Sequence, residues 1–243
     1  MTPEPVTRTA PPLRGRVVST QQWREVAFLH WAVDPALVEP LMPPGVHVDV
    51  HEGETYVGLV PFRMVGVGLG RGPGLPWFGT FLETNVRVYS VDRTGRRGVV
   101  FLSLDAERAV VVPTVRALVG APYRWARMRF ERAGDLVTYD ARVRTGARPT
   151  SHVVLRVGGP REPTALDDFL TARWGAHVHR RRGTTFVPNQ HDPWPLRDAE
   201  AVEVDDELVA TAGLPGVTGR PPDHVAFSDG VYAEFARPGR VGV

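Results

Sequence analysis

The chain contains neither cysteine nor lysine. Without cysteine it has no disulfide, no thiolate nucleophile and no cysteine-ligated zinc or iron–sulfur centre. Without lysine, all 29 of its Lys-or-Arg positions are arginine. A guanidinium stays protonated and does not form a Schiff base as an amine does. Apart from the N-terminal amine, imine chemistry is therefore excluded. Excess charge of one sign is also lacking: 27 acidic residues leave a formal net charge of only +2. Its arginines form no basic stripe, so no nucleic-acid partner is expected despite a sequence pI of 9.4. No GxSxG elbow is present, and no GxGxxG or Walker loop. The glycine-rich stretch MVGVGLGRGPG reads instead as a flap beside the central hairpin. No apolar run approaches the roughly 18 residues of a membrane span, so no membrane association is expected. MTPEPVTRTAPPLRGR has no apolar segment of the kind a secretory signal carries, and the expected location is the cytoplasm.

What is present is ordinary for a globular protein: 243 residues, 42% hydrophobic and 23% charged. The pattern predicts a disordered Pro/Thr tail over 1–13 and a single β-rich domain over 14–243. Strands are predicted over 21–33, 46–50, 55–62, 136–144, 152–157, 177–187, 200–209 and 224–231. Asp34-Pro35 opens a short helix, another segment near Pro113 reads as helical, and Thr164 with Asp167 three residues on caps a third, TALDDFLTARWG.

The most informative stretch runs from Phe81 to Asp105. FLETNVRVYS and VVFLSLD read as the arms of a β-hairpin joined by VDRTGRRG. Alternation puts Phe81, Glu83, Asn85, Arg87 and Tyr89 on one face and Leu82, Thr84, Val86 and Val88 on the other. A register centred on Thr94 sets Glu83 opposite Asp105 and Asn85 opposite Ser103. The polar row is either the wet outer face of a half-buried sheet or the lining of an interior site.

LETNVRVY with GVVFLSLDA, then PYRWARM, FLTARWG and HDPWPL, in that order from Gln21 to Ser228, resemble the DUF2071 (YqjF-like) family. That family is similar to the acetoacetate decarboxylase-like superfamily. The resemblance implies a mainly β (α+β) fold, with a curved antiparallel sheet or barrel and a few short helices closing around a small-molecule pocket. It also makes a homo-oligomer an expectation. The decarboxylase relatives use a Schiff-base lysine assisted by a glutamate. The lysine has no counterpart here: the region that would host it, around Pro113 to Tyr123, offers Arg116. The glutamate corresponds to Glu83.

The expected ligand is a small molecule, and no cofactor or metal is called for. Glu83 is the acid–base candidate, with Asp105 raising its pKa through like charge. Arg87 is placed with them as the group facing a developing oxyanion; Arg87 and Arg116 could each clamp a carboxylate or enolate. For Arg87 the competing reading is neutralisation of Glu83. Asn85, Tyr89, Tyr123, Trp31, Trp194 and His191 are the candidate ligand contacts; the aromatics read equally as core, and His191 as a cap on loop carbonyls. His30 reads as a satisfied core histidine. The groupings His47/Asp49/His51 and His177/His179 lie near turns, where polar residues occur without metal. The expected function is cofactor-independent acid–base chemistry on a small keto or carboxylate compound. The alternative is a non-catalytic binding or sensing protein.

Overall fold

The structure is a computed structural model that describes residues 2–76, 79–109, 120–180 and 183–241. Among the described residues thirteen strands form one sheet. They are β1 (Val17–Val33), β2 (Val46–Val48), β3 (Thr55–Leu69), β4 (Phe81–Asp92), β5 (Arg97–Ala106), β6 (Tyr123–Ala133) and β7 (Leu136–Val143). After them come β8 (Thr150–Pro160), β9 (Gly175–Arg180), β10 (Gly183–His191), β11 (Leu196–Asp206), β12 (His224–Ala236) and β13 (Gly239–Arg240). The described helices are short: α1 (Pro35–Val38), α2 (Ala165–Thr171) and α3 (Leu208–Thr211). Among the described residues no helix is long and apolar enough to cross a membrane. The helix predicted near Pro113 lies outside the described residues.

The strand pairings close two rings that share a wall. One runs β4-β5-β6-β7-β8-β11-β12-β1-β3 and back to β4. The other leaves β5 through β9 and β10 to β12, then returns through β1 and β3 to β4. Pairing is antiparallel except for two short parallel contacts, β5 with β6 and β5 with β9. The shared strands are buried on both faces, which is why they read as nearly continuous apolar runs. Along β1, Ala27, Leu29 and Trp31 enter the larger core with Val57, Leu59, Val86, Val88 and residues of β7 and β8. Val26 and Phe28, alternating with them, enter the smaller ring with Val60, Phe62, Phe81 and Ala106. There α2 contributes Phe169 and Leu170 against Tyr89.

β3 extends through Leu69, so the first half of the glycine-rich stretch is strand rather than flap. Gly66, at φ 65°, absorbs a local irregularity there. Residues 2–16 carry no helix or strand. They nonetheless touch the domain: Arg8 pairs with Asp168 at 3.0 Å, and Leu13 N donates to Gln190 at 3.0 Å.

The central hairpin turns where the sequence places it. Asp92 accepts from Thr94 N at 2.9 Å, and Gly95 sits at φ 89°. From the turn the register centres on Thr94: Val91 faces Arg97 and Arg87 faces Phe101. A bulge at Leu102 then inserts one residue, so Val86 faces Ser103, Thr84 faces Asp105 and Glu83 faces Ala106. A one-residue slip sends every later side chain to the opposite face. This corrects the expected pairing of Glu83 with Asp105 and of Asn85 with Ser103.

Candidate active site on the inner face of β4

The polar row of β4 faces inward. Glu83 is 2% exposed, Asn85 7% and Tyr89 0%; Arg87 is half-buried. The wet-face reading is thereby set aside. Three successive members of the row each hold a buried polar atom with no hydrogen-bond partner among the described residues: Glu83 Oε2, Asn85 Oδ1 and Arg87 Nε. Buried polar atoms are almost always paired, and each unpaired one forfeits roughly 1–3 kcal/mol. Three in a row, side by side, mark a surface suited to a polar ligand.

Arg87 does not neutralise Glu83. Its Nη2 donates to the Leu170 carbonyl at 3.1 Å, and its guanidinium lies 5.6 Å from the Phe28 ring centroid and 5.9 Å from that of Tyr89. Burial pushes the Glu83 carboxyl up to about 8; a hydrogen bond with Tyr123 opposes the rise and Asp105 adds to it. At neutral pH Glu83 is therefore mostly protonated and poised to exchange a proton in the physiological range.

Other candidates fall unevenly. Tyr123 lies beside Glu83, and burial together with that carboxyl raises its phenol well above the ordinary range. Trp194 stacks on Trp23 at 5.7 Å, meets Phe28 edge-on at 5.1 Å and donates to the Thr171 carbonyl at 3.1 Å. His191, 7% exposed, donates from Nδ1 to the Asp192 carbonyl at 2.6 Å and packs between Trp174 and Trp194. Burial lowers its pKa to about 4, with Arg87 adding to the effect.

Two candidates point away. Trp31 belongs to the larger core and donates to the Arg220 carbonyl at 2.9 Å. The bulge turns Asp105 to the same side, where Arg124 holds both carboxylate oxygens at 2.6 and 2.8 Å. Asp105 reaches Glu83 only through its field. Arg116 lies outside the described residues. Members of the histidine groupings have separate partners: His47 pairs with Glu39, Asp49 is gripped by Arg97 and Arg173, His51 stacks on Phe169, and His177 meets Ser90. A surface cleft of about 550 Å³ on β6–β8, lined by Arg127, Asp140 and His152 among others, is remote from β4.

The core-histidine reading of His30 holds, and the residues around it add groups not named as site candidates in the sequence. His30 shares its face with Phe28, opposite Trp31. Its Nε2 lies 2.7 Å from the Tyr89 hydroxyl and its Nδ1 2.9 Å from His224 Nδ1. His224 Nε2 lies 2.8 Å from Asp167 Oδ1. Asp167 Oδ2 meanwhile completes the capping box of α2, accepting from Thr164 N at 2.8 Å. Burial pushes the Asp167 carboxyl up, but hydrogen bonds from His224 and Thr164 outweigh it and hold it below the usual range. Burial, then His224 and Arg87, depress His30 far below an ordinary histidine. Space for the His30 ring depends on Gly58, where a Cβ would sit 2.8 Å from His30 Cδ2. Strict alternation from Trp31 puts His30 on the side of Phe28; the cap motif announces Asp167 only as a partner of Thr164, and nothing local announces His224.

The fold has the acetoacetate decarboxylase-like architecture. Acetoacetate decarboxylase from Legionella pneumophila superposes with a TM-score of 0.63 at 14% identity, covering 96% of this chain and 92% of that one. An acetoacetate decarboxylase-like enzyme from Sphingomonas wittichii RW1 gives 0.62 at 12% identity, with 93% of each chain covered. The enduracididine biosynthesis enzyme MppR, complexed with pyruvate, gives 0.57 at 16% identity over 94% and 91% of the two chains. The chain belongs to the DUF2071 family, described as an uncharacterized conserved protein, whose model matches residues 20–232. A member in Bacillus subtilis (strain 168), the uncharacterized protein YqjF, is 30% identical over 190 residues, 77% of this chain and 78% of that one.

Proposed function

We propose that the inner face of β4 binds a small keto acid and that Glu83 and Arg87 enolise it without a cofactor. The observation that carries this reading is the run of three unpartnered buried polar atoms on Glu83, Asn85 and Arg87. Glu83 and Arg87 are four residues apart, about 13 Å between Cα atoms at strand rise. Asn85 lies between them on the same face of the strand. The pyruvate in the MppR complex supports the ligand class.

In the proposed step, ionised Glu83 takes a proton from the carbon beside the keto group. The C–H electron pair passes to the keto oxygen, where the Arg87 guanidinium stabilises the developing negative charge. Asn85 orients the ligand. With no lysine to form an imine, the chemistry stops short of the lysine-dependent route.

The test is exchange of the methyl hydrogens of pyruvate with D₂O, followed by proton NMR. Exchange should rise with pH through about 8, where Glu83 ionises. Glu83→Gln should abolish it while pyruvate still binds. Exchange undiminished in Glu83→Gln would falsify the catalytic role. Pyruvate binding without exchange in the wild type would leave a binding protein, the reading that the missing lysine favours.

A further inference from the structure

The contacts Asp167–His224–His30–Tyr89 form a continuous line through the smaller ring, and the protons on it can be counted. Each junction is short enough to require one hydrogen: 2.8 Å from Asp167 Oδ1 to His224 Nε2, 2.9 Å between the two Nδ1 atoms, and 2.7 Å from His30 Nε2 to the Tyr89 hydroxyl. A carboxylate only accepts, so His224 Nε2 carries a hydrogen. Three complete arrangements remain; burial and the nearby Arg87 disfavour the one with an imidazolium on His30, which leaves two. In the first, Tyr89 donates to His30 Nε2, His30 Nδ1 donates to His224 Nδ1, and both rings are neutral. In the second, His224 is an imidazolium donating to both Asp167 and His30, and His30 Nε2 donates to Tyr89. The Tyr89 hydrogen is then free to turn to the Leu170 carbonyl, 2.9 Å away. The two arrangements differ by a single proton, and His30 is neutral in both.

We propose that this line is a proton relay, holding one transferable proton on His224 and delivering it through Tyr89 to a ligand oxygen at Arg87. The recipient rests on the function proposed above; the relay itself does not. Delivery balances as follows. The Tyr89 O–H bond breaks and its proton goes to the enolate oxygen. Tyr89 takes the hydrogen from His30 Nε2, and His30 takes at Nδ1 the hydrogen of His224 Nδ1. His224 keeps its Nε2 hydrogen toward Asp167, and its charge is gone. The enolate has become an enol, and the first arrangement has replaced the second.

The surrounding charges place the positive charge on His224 rather than on His30. His30 faces Arg87 on β4, which disfavours a second positive charge there. His224 faces the Asp167 carboxylate on α2. Arg161 contacts that same carboxylate and lies 3.2 Å from His224 Nε2, with Asp198 3.7 Å from Arg161. The positive charge thus has its counterion at the outer end, beside the half-buried Arg161, and the neutral groups lie at the inner end. Tyr89 would be a catalytic residue; His30, His224 and Asp167 would act through it.

The decisive measurement is a pH titration of the full chain labelled with ¹⁵N in histidine, followed by long-range proton–nitrogen correlation. Coupling across the Nδ1–Nδ1 hydrogen bond picks this pair out of the eight histidines. As pH falls, His30 should switch from the Nδ1–H to the Nε2–H tautomer, staying neutral, at the same midpoint at which His224 gains its proton. Asp167→Asn should move that switch to lower pH, because the counterion is gone. A single His30 tautomer throughout, or an imidazolium on His30, overturns the relay. An unmoved switch in Asp167→Asn does the same for the role of the aspartate. Failure of pyruvate to bind would instead remove the recipient and leave the titration result standing. If pyruvate exchanges at the wild-type rate in Tyr89→Phe, delivery through the hydroxyl is wrong.

Discussion

Replacing Glu83 by glutamine should make the protein more stable, and the gain should depend on pH in a defined way. The folded carboxyl titrates near 8 rather than near the ordinary 4.5, because it is buried. The folded state therefore holds a proton that the unfolded chain has already released over most of that interval. Stability contributed by neutral Glu83 is complete below about pH 4.5 and drains away as pH rises, until the folded carboxyl itself ionises. At about 1.4 kcal/mol for each pH unit, the loss reaches about 3 kcal/mol at pH 7 and about 5 kcal/mol above pH 8. Glutamine is neutral at every pH and has nearly the same shape. The variant should thus match the wild type at about pH 4, apart from a constant offset for its added N–H donors, and exceed it by about 3 kcal/mol at pH 7. Urea unfolding at several pH values, read as the difference between the two proteins, isolates this group because other titrations cancel. Parallel stability curves across the range would refute the buried, protonated carboxyl, and with it the acid–base role.

Two further outcomes follow from local geometry. Gly58→Ala places a methyl 2.8 Å from a His30 ring that is held at both nitrogens, and should cost about 1–3 kcal/mol in denaturant unfolding; no loss would mean the ring is free to move. Thr164→Ala removes the cap of α2 and should cost about 1 kcal/mol, an effect that thermal unfolding at neutral pH can register.

Much of the architecture is legible in the sequence because its signals are local. Alternation over Phe81–Tyr89, the Asp92 turn and the Thr164–Asp167 cap each lie within a few residues, and each is found in place. The bulge at Leu102 is not legible: no glycine or proline marks it, yet it alone decides that Asp105 faces Arg124 rather than the site. Trp31 and His30 show the same dependence on phase. Both are buried and adjacent, and only strand parity tells which of them meets the ligand face. The line from Tyr89 to Asp167 joins four elements far apart in the chain. Its parts carry no spacing that a linear reading could detect, and only ring closure brings them together.

Because β4 is a partition between two compartments, its residues divide into independent sets. Val86 and Val88 belong to the larger compartment, which holds most of the apolar mass. Glu83, Asn85, Arg87 and Tyr89 belong to the smaller. Substitutions at the odd positions can retool the chemistry while leaving the main reservoir of folding energy untouched, and repacking at the even positions leaves the ligand face unaltered. Selection can act on the two properties separately along a single strand. Such a partition lets the lining of the smaller compartment change while the fold persists.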